Sequence, residues 1–235
     1  MNSTKGSHLE IDKNTPRFIG AAFLLQAVAS LVSTFLLTPL IVPGNIIASM
    51  TNIANNATQM RASIVGEMIA VIGIVMLGAL LYLALKKQNR KMALVALGLY
   101  LVTAVIIAIS RIAAFALLHI SQESVIAGHP DHLQTLGNLF YELQDFGYYL
   151  HMLPYTLGAT LFYYLLYKSG FLTRVLAIWG LIATPLAFVG SLFDHLGLAI
   201  PMVVFLPNLP FDLAIGVWLI VKGFNSSVID SGTEK

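Results

Sequence analysis

Asp145, Tyr148, His151 and Tyr155 recur at intervals of three and four residues. On a helix that spacing lays a carboxylate, an imidazole and two phenols along one face, with Tyr141 a turn or two above them. Such groups exchange protons and hydrogen-bond small polar ligands. Three further ionisable residues stand inside apolar runs: Glu67, Arg111 in "IAISRIAAF", and Asp212 in "PNLPFDLAIGVW". Arginine at the centre of a lipid-embedded helix is disfavoured by about 2.5–3.5 kcal/mol on insertion scales, so a charge in such a run requires a partner, water or a ligand. Glu67, Arg111, Asp145, Tyr148, His151 and Asp212 are the candidate residues of a polar pocket.

Histidine raises the question of a metal. "HPDH" at His129 to His132, taken with His119, offers three imidazoles and the carboxylate of Asp131. His151, Asp194 and His195 would extend the set if their helices converge. The spacing matches no metal-binding motif, and histidines solvated in a loop account for it equally well. No metal and no cofactor is therefore expected, with His119, His129, Asp131 and His132 kept as weak candidate ligands. The chain has no cysteine, which excludes disulfides, thiolate metal sites and thiol catalysis. No serine or threonine nucleophile stands in a recognisable triad context.

The elements that must position these residues follow from composition. The chain is 57% hydrophobic and 10% charged, with a mean hydropathy of +0.82. Soluble domains carry about a quarter charged residues, so the solvent of this chain is lipid. A formal charge of +2, without basic patches interleaved with aromatics, excludes nucleic acid as a partner. A bilayer core of about 30 Å needs around 20 apolar helical residues. Six stretches qualify: Phe18 to Val42, Ile64 to Leu85, Met92 to Ile120, Phe146 to Tyr167, Val175 to Leu198 and Met202 to Val221. The expected fold is an all-α bundle of six transmembrane helices over 18–222, with tails at 1–17 and 223–235 whose polar parts, Met1 to Pro16 and Asn225 to Lys235, are expected to be disordered.

Lysine and arginine orient the bundle. Lys5, Lys13 and Arg17 precede the first span, "KKQNRK" joins the second to the third, Lys168 and Arg174 flank "SGFLT", and Lys222 and Lys235 follow the last. All fall on one side, which the positive-inside rule makes cytoplasmic, as it does both termini. "AVAS" at Ala27 to Ser30 has the small residues of a signal-peptide cleavage site, but the apolar run continues to Val42, which suits a retained helix. The segment "PGNIIASMTNIANNATQMR" is too polar to span. Its Ile46, Ile47, Met50, Ile53, Ala57 and Met60 recur at helical spacing, which fits a helix lying flat at the membrane surface or a plain loop.

Depth can be counted from the basic turn. Arg111 lies about 28 Å up the third span and Glu67 about 27 Å up the second, at 1.5 Å per residue. Helices joined by so short a turn are neighbours, so a Glu67–Arg111 ion pair near the outer surface is expected. Such a pair serves either as a lock between two helices or as part of a pocket wall. Gln26, Ser30, Ser33 and Thr34 form a milder polar stripe on the first span. Asp212 sits about 15 Å deep, counting back from Lys222. Pro207 and Pro210 interrupt the chain before it, and a helix restarting near Asn208 would place Asp212 in its first turn. Broken helices with a midplane carboxylate are the pattern of transporter sites.

Several motifs carry a resemblance: "NRKMAL", "RIAAFALL", "LQDFGYYL", "GATLFYYLLYKSGFLTRVLAIWG" and "FDLAIGVWLIVKG". In these, from Arg17 to Asn225, the chain resembles a family of uncharacterised bacterial membrane proteins grouped as domain of unknown function 4386. It departs from the pattern at Thr173, where members carry proline before arginine, at Ala177, where they carry glycine, and at Ala114, where they carry an acid. The last departure leaves Glu67 as the acid to consider beside Arg111. The resemblance implies a multi-span fold and supplies no activity, substrate or cofactor.

The function expected from these residues is non-enzymatic: an inner-membrane protein whose outward-facing polar pocket binds or passes a small molecule, lipid or ion. Membrane lipids are its expected surroundings. The alternatives are a metal-dependent intramembrane hydrolase and an envelope sensor whose outer histidines read acid pH.

Overall fold

Unpaired backbone groups are too costly in hydrocarbon for open strands or lipid-exposed loops, and this chain meets its hydrogen bonds within helices. The structure is a computed structural model and describes residues 14–198, 201–205 and 207–225. The expected tails fall mostly outside those residues. The helices are α1 (Thr15–Leu37), α2 (Ile46–Asn55), α3 (Ala57–Ile126), α4 (Asp131–Leu150), α5 (Met152–Ser169), α6 (Arg174–His195) and α7 (Asn208–Val221), and the described residues contain no strand. Short 3₁₀ turns extend α1 at Thr38–Leu40 and precede α7 at Met202–Val204. Helix accounts for most of each apolar stretch read from the sequence, but in the sixth, Met202 to Val221, the α-helix begins only at Asn208.

Three of them, the last residues of α1 included, are long and apolar enough to cross a membrane, and the 70-residue α3 is folded back on itself. Its break is Asn89, at φ −157° and ψ 100°. The Asn89 side chain accepts a hydrogen bond from the Met92 amide at 3.1 Å and so caps the second arm of the hairpin. The two arms pack closely, Gly78 of the first lying against Leu97 and Tyr100 of the second. α1 runs along the first arm and α7 along α1. Where they cross, glycines replace side chains: a Cβ on Gly20 would fall 2.6 Å from the Gly216 carbonyl oxygen, and one on Gly73 would fall 2.9 Å from the Gln26 amide nitrogen. Close backbone approach over small residues is how helices associate where lipid removes the hydrophobic drive.

Outward faces are apolar, as hydrocarbon demands: Ile112 is 69% exposed and Val175 76%. The main core joins α1, both arms of α3, α5, α6 and α7 around the fully buried Tyr100, Phe162, Tyr163 and Phe211. One end of the bundle gathers the basic turns. Gly170, at φ 70°, ends α5, and the Asn225 side chain and amide donate to the Gly170 and Phe171 carbonyls at 2.8 and 3.1 Å. Phe171 stacks on Phe224, and Gly223 lies against Pro16.

The opposite end departs from expectation. "PGNIIASMTNIANNATQMR" is helical, as one of its two readings had it, but its apolar face packs on protein and not on lipid. It folds as α2, capped by Asn45, followed at once by the first turns of α3. Met50, Ile53 and Met60 are fully buried against Leu117 and Leu118, so the apolar face is satisfied by protein. α3 continues to Ile126 and α4 returns from Asp131 after a four-residue turn, where a longer loop was expected. The fourth span is also divided. α4 ends at Leu150, four residues before Pro154, whose ring would clash with that carbonyl in a continuous helix.

Candidate ligand cavity

α7 has 14 residues, about 21 Å of helix, and cannot cross a hydrocarbon core of about 30 Å. Pro207 and Pro210 explain where it starts, since neither has an amide to give to a preceding turn. The missing turns leave room beside α1. A cavity of about 450 Å³ opens there, within the range of small-molecule pockets. Its wall takes Gln26, Ser30 and Thr34 from α1, Glu67, Ala70, Ile74 and Ile107 from α3, Tyr148 from α4, Tyr155 from α5, and His151 from the joint between the last two. Phe205, Asn208 and Asp212 close the α7 side.

The polar stripe of α1 meets its partners turn by turn. Ser33 donates to the Ser63 carbonyl at 2.8 Å, and Ser30 donates to the Glu67 carboxylate at 3.2 and 3.4 Å. One helical turn below, the Gln26 amide donates to the Tyr155 hydroxyl at 2.9 Å, and that hydroxyl donates to Asp212 Oδ2 at 3.2 Å. This relay ties α1, α5 and α7 together around a carboxylate. Tyr163 faces the same carboxylate but falls short of hydrogen-bond geometry. Tyr100 lies against Tyr155, ring centroids 5.3 Å apart, with its hydroxyl unpartnered. Asp212 is half-buried, lines the cavity, and sits fifth in α7, one position past the first turn expected for it.

Glu67 and Arg111 are both buried, 2% and 3% exposed, and each lies 22 residues from Asn89 along its own arm. They stand at one level and interact electrostatically, yet the expected contact pair is not made: among the described residues no ion pair within 4 Å joins them. Each group has a nearer partner instead. Glu67 is turned toward Ser30, while Arg111 Nε and Nη2 donate to Ser110 Oγ at 3.2 and 3.1 Å. The guanidinium carbon lies 5.9 Å over the Tyr148 ring, at cation–π range. Arg111 therefore backs the wall and does not line it.

Of the stripe on α4 and α5, Tyr148, His151 and Tyr155 reach the cavity and Asp145 does not. The His151 ring lies 5.1 Å from Tyr148, and its Nδ1 is buried without a partner. Asp145 is exposed on α4, ahead of the apolar run. Partial burial and the nearby Asp194 push its carboxyl above the usual range, against the pull of Arg111. The weak metal candidates stay apart: His119 packs on the Phe115 ring, His129 Nδ1 lies 3.2 Å from Ser124 Oγ, and Asp131 and His132 are exposed at the start of α4. The described residues contain no group of three or more histidine or acidic side chains placed to hold a metal ion.

Two residues beside the carboxylate were not singled out from sequence. Tyr163 follows Tyr155 by eight residues, which keeps it on the same helical face, and that spacing was a usable signal. Nothing in the sequence marks Tyr100, which arrives through the fold of α3.

Residues 18–223 match the family described as "Domain of unknown function (DUF4386)". No curated protein and no solved structure matches the chain.

Proposed function

From the premise that this chain belongs to the DUF4386 family, whose description carries no activity, we propose that it is a multi-pass membrane protein that binds a small molecule or ion in the cavity between α1, α3, α5 and α7. The observation that carries this reading is the pair of carboxylates, Glu67 from α3 and Asp212 from α7, that line one cavity whose lining includes no lysine or arginine. Irregular backbone at membrane depth is tolerated where it lines a cavity, and Phe205, just ahead of α7, is part of the lining. The basic turns assign the opposite end of the bundle to the cytoplasm, so both termini lie inside and the cavity faces outward across the inner membrane. The hydrolase alternative has no grouping of metal-binding side chains behind it among the described residues.

The absence of cysteine makes the test direct. Single replacements Ser30→Cys, Thr34→Cys and Asn208→Cys, in cells exposed to a membrane-impermeant thiol reagent, are expected to be labelled from outside. Ala22→Cys, at a buried core position, is expected to stay unlabelled. Equal protection of the lining positions and Ala22→Cys would remove the open cavity.

A further inference from the structure

We propose that the cavity, taken as the binding site just described, selects an organic monocation, with a cationic nitrogen held beside Asp212 and an apolar body laid along Ala70, Ile74 and Ile107. The charges on the wall are both negative, Glu67 and Asp212. Arg111 stands behind Tyr148. With both carboxylates ionised, the lining together with Arg111 behind it carries one net negative charge, which a single monovalent cation balances. Asp212 receives one hydrogen bond of regular geometry, from Tyr155, and a carboxylate offers about four acceptor sites. The cavity that Asp212 lines also takes the aromatic side chains of Tyr148 and Phe205. The Tyr155 ring lines it, while Tyr100 and Tyr163 crowd behind with hydroxyls that are buried and unpartnered.

Aromatic faces and a carboxylate together are the chemistry that recognises ammonium groups. A divalent metal ion fits poorly, since calcium takes six to eight oxygen ligands and no group of three acidic or histidine side chains converges among the described residues. A volume of about 450 Å³ also exceeds what a bare inorganic ion fills. The same cationic nitrogen occurs on water-soluble amines and on lipid headgroups, and the experiment separates the two.

The full chain, in phosphatidylglycerol nanodiscs, is followed by thermal unfolding with benzyltrimethylammonium, its neutral carbon isostere neopentylbenzene, and the anion phenylacetate. The ammonium is expected to raise the midpoint by several degrees at saturation, and the other two to leave it unchanged. Asp212→Asn is expected to weaken binding about tenfold or more. Should that variant unfold too early to read, Ala70→Phe, which fills the apolar wall without touching charge, is expected to weaken the ammonium similarly. A second arm adds phosphatidylcholine to the discs. Competition with the probe assigns the cation to a lipid headgroup, and an unchanged probe response assigns it to a soluble amine. Equal shifts from the ammonium and its neutral isostere would overturn the charge preference while leaving a binding cavity. No shift from the ammonium with either lipid would overturn the cation, and the thiol labelling decides separately whether the cavity is open.

Discussion

Tyr155 joins more of the site than any other side chain, because its single hydroxyl accepts from Gln26 and donates to Asp212. Replacing it by phenylalanine keeps the ring and strands two polar groups. Leaving a buried donor or acceptor unsatisfied costs about 1–3 kcal/mol, so Tyr155→Phe is expected to lower stability by that amount in unfolding measurements in detergent. Asp145 presents the opposite case. Partial burial and Asp194 raise its carboxyl above the ordinary value, so the folded state holds the proton more tightly than the unfolded one. Its cost is absent below the unfolded value and grows as pH rises through the folded one. Asp145→Asn is expected to raise the unfolding midpoint at pH 8 and to lose that advantage near pH 4. The group is exposed and screened, so the gain should stay under about 1 kcal/mol. A gain of equal size at both pH values would remove the electrostatic explanation.

Elements in this fold are bounded by caps and joined by small residues. Asn89 turns one 70-residue helix into a hairpin and caps its second arm. Asn89→Ala is expected to cost about 1 kcal/mol, read as a lowered unfolding midpoint. The α1–α7 crossing allows a sharper comparison. A side chain on Gly20 meets the Gly216 carbonyl oxygen, whereas one on Gly98 meets nothing within 4 Å. Gly20→Val forces two backbones apart, and overpacking of this kind costs about 1–3 kcal/mol. Gly98→Ala, in open surroundings, is expected to be neutral or to stabilise by up to about 1 kcal/mol through helix propensity. Comparable losses in both variants would show that the close approach at the crossing does not set the effect.

At the scale of the whole molecule, the short α7 is the feature on which the others depend. A full-length seventh helix would fill the volume beside α1, and Asp212 would then face packed side chains. The orientation is tested by reporter fusions: those placed at the "KKQNRK" turn and at the C-terminus are expected to report cytoplasmic, and one in the α3–α4 turn external. A second, smaller core of Met50, Ile53, Met60, Leu117 and Leu118 lies where α2 packs on α3.

Composition and apolar run lengths by themselves determined that lipid surrounds this chain and that its backbone is helical, because those properties depend on sums over many residues. Spacing determined that Tyr148, His151 and Tyr155 share a face and that Glu67 and Arg111 stand level, since both follow from helical rise and a tight turn. Only the tertiary structure decided which groups touch. Glu67 bonds to Ser30 on α1 and Arg111 to its neighbour Ser110, a choice set by distances of a few ångströms between helices that periodicity does not encode. The same holds for Met50, Ile53 and Met60, whose helical spacing was legible but whose partner, protein in place of lipid, was not. The cavity itself arises from where α7 begins relative to α1. No single segment carries that information, because it belongs to the packing of helices distant in the chain.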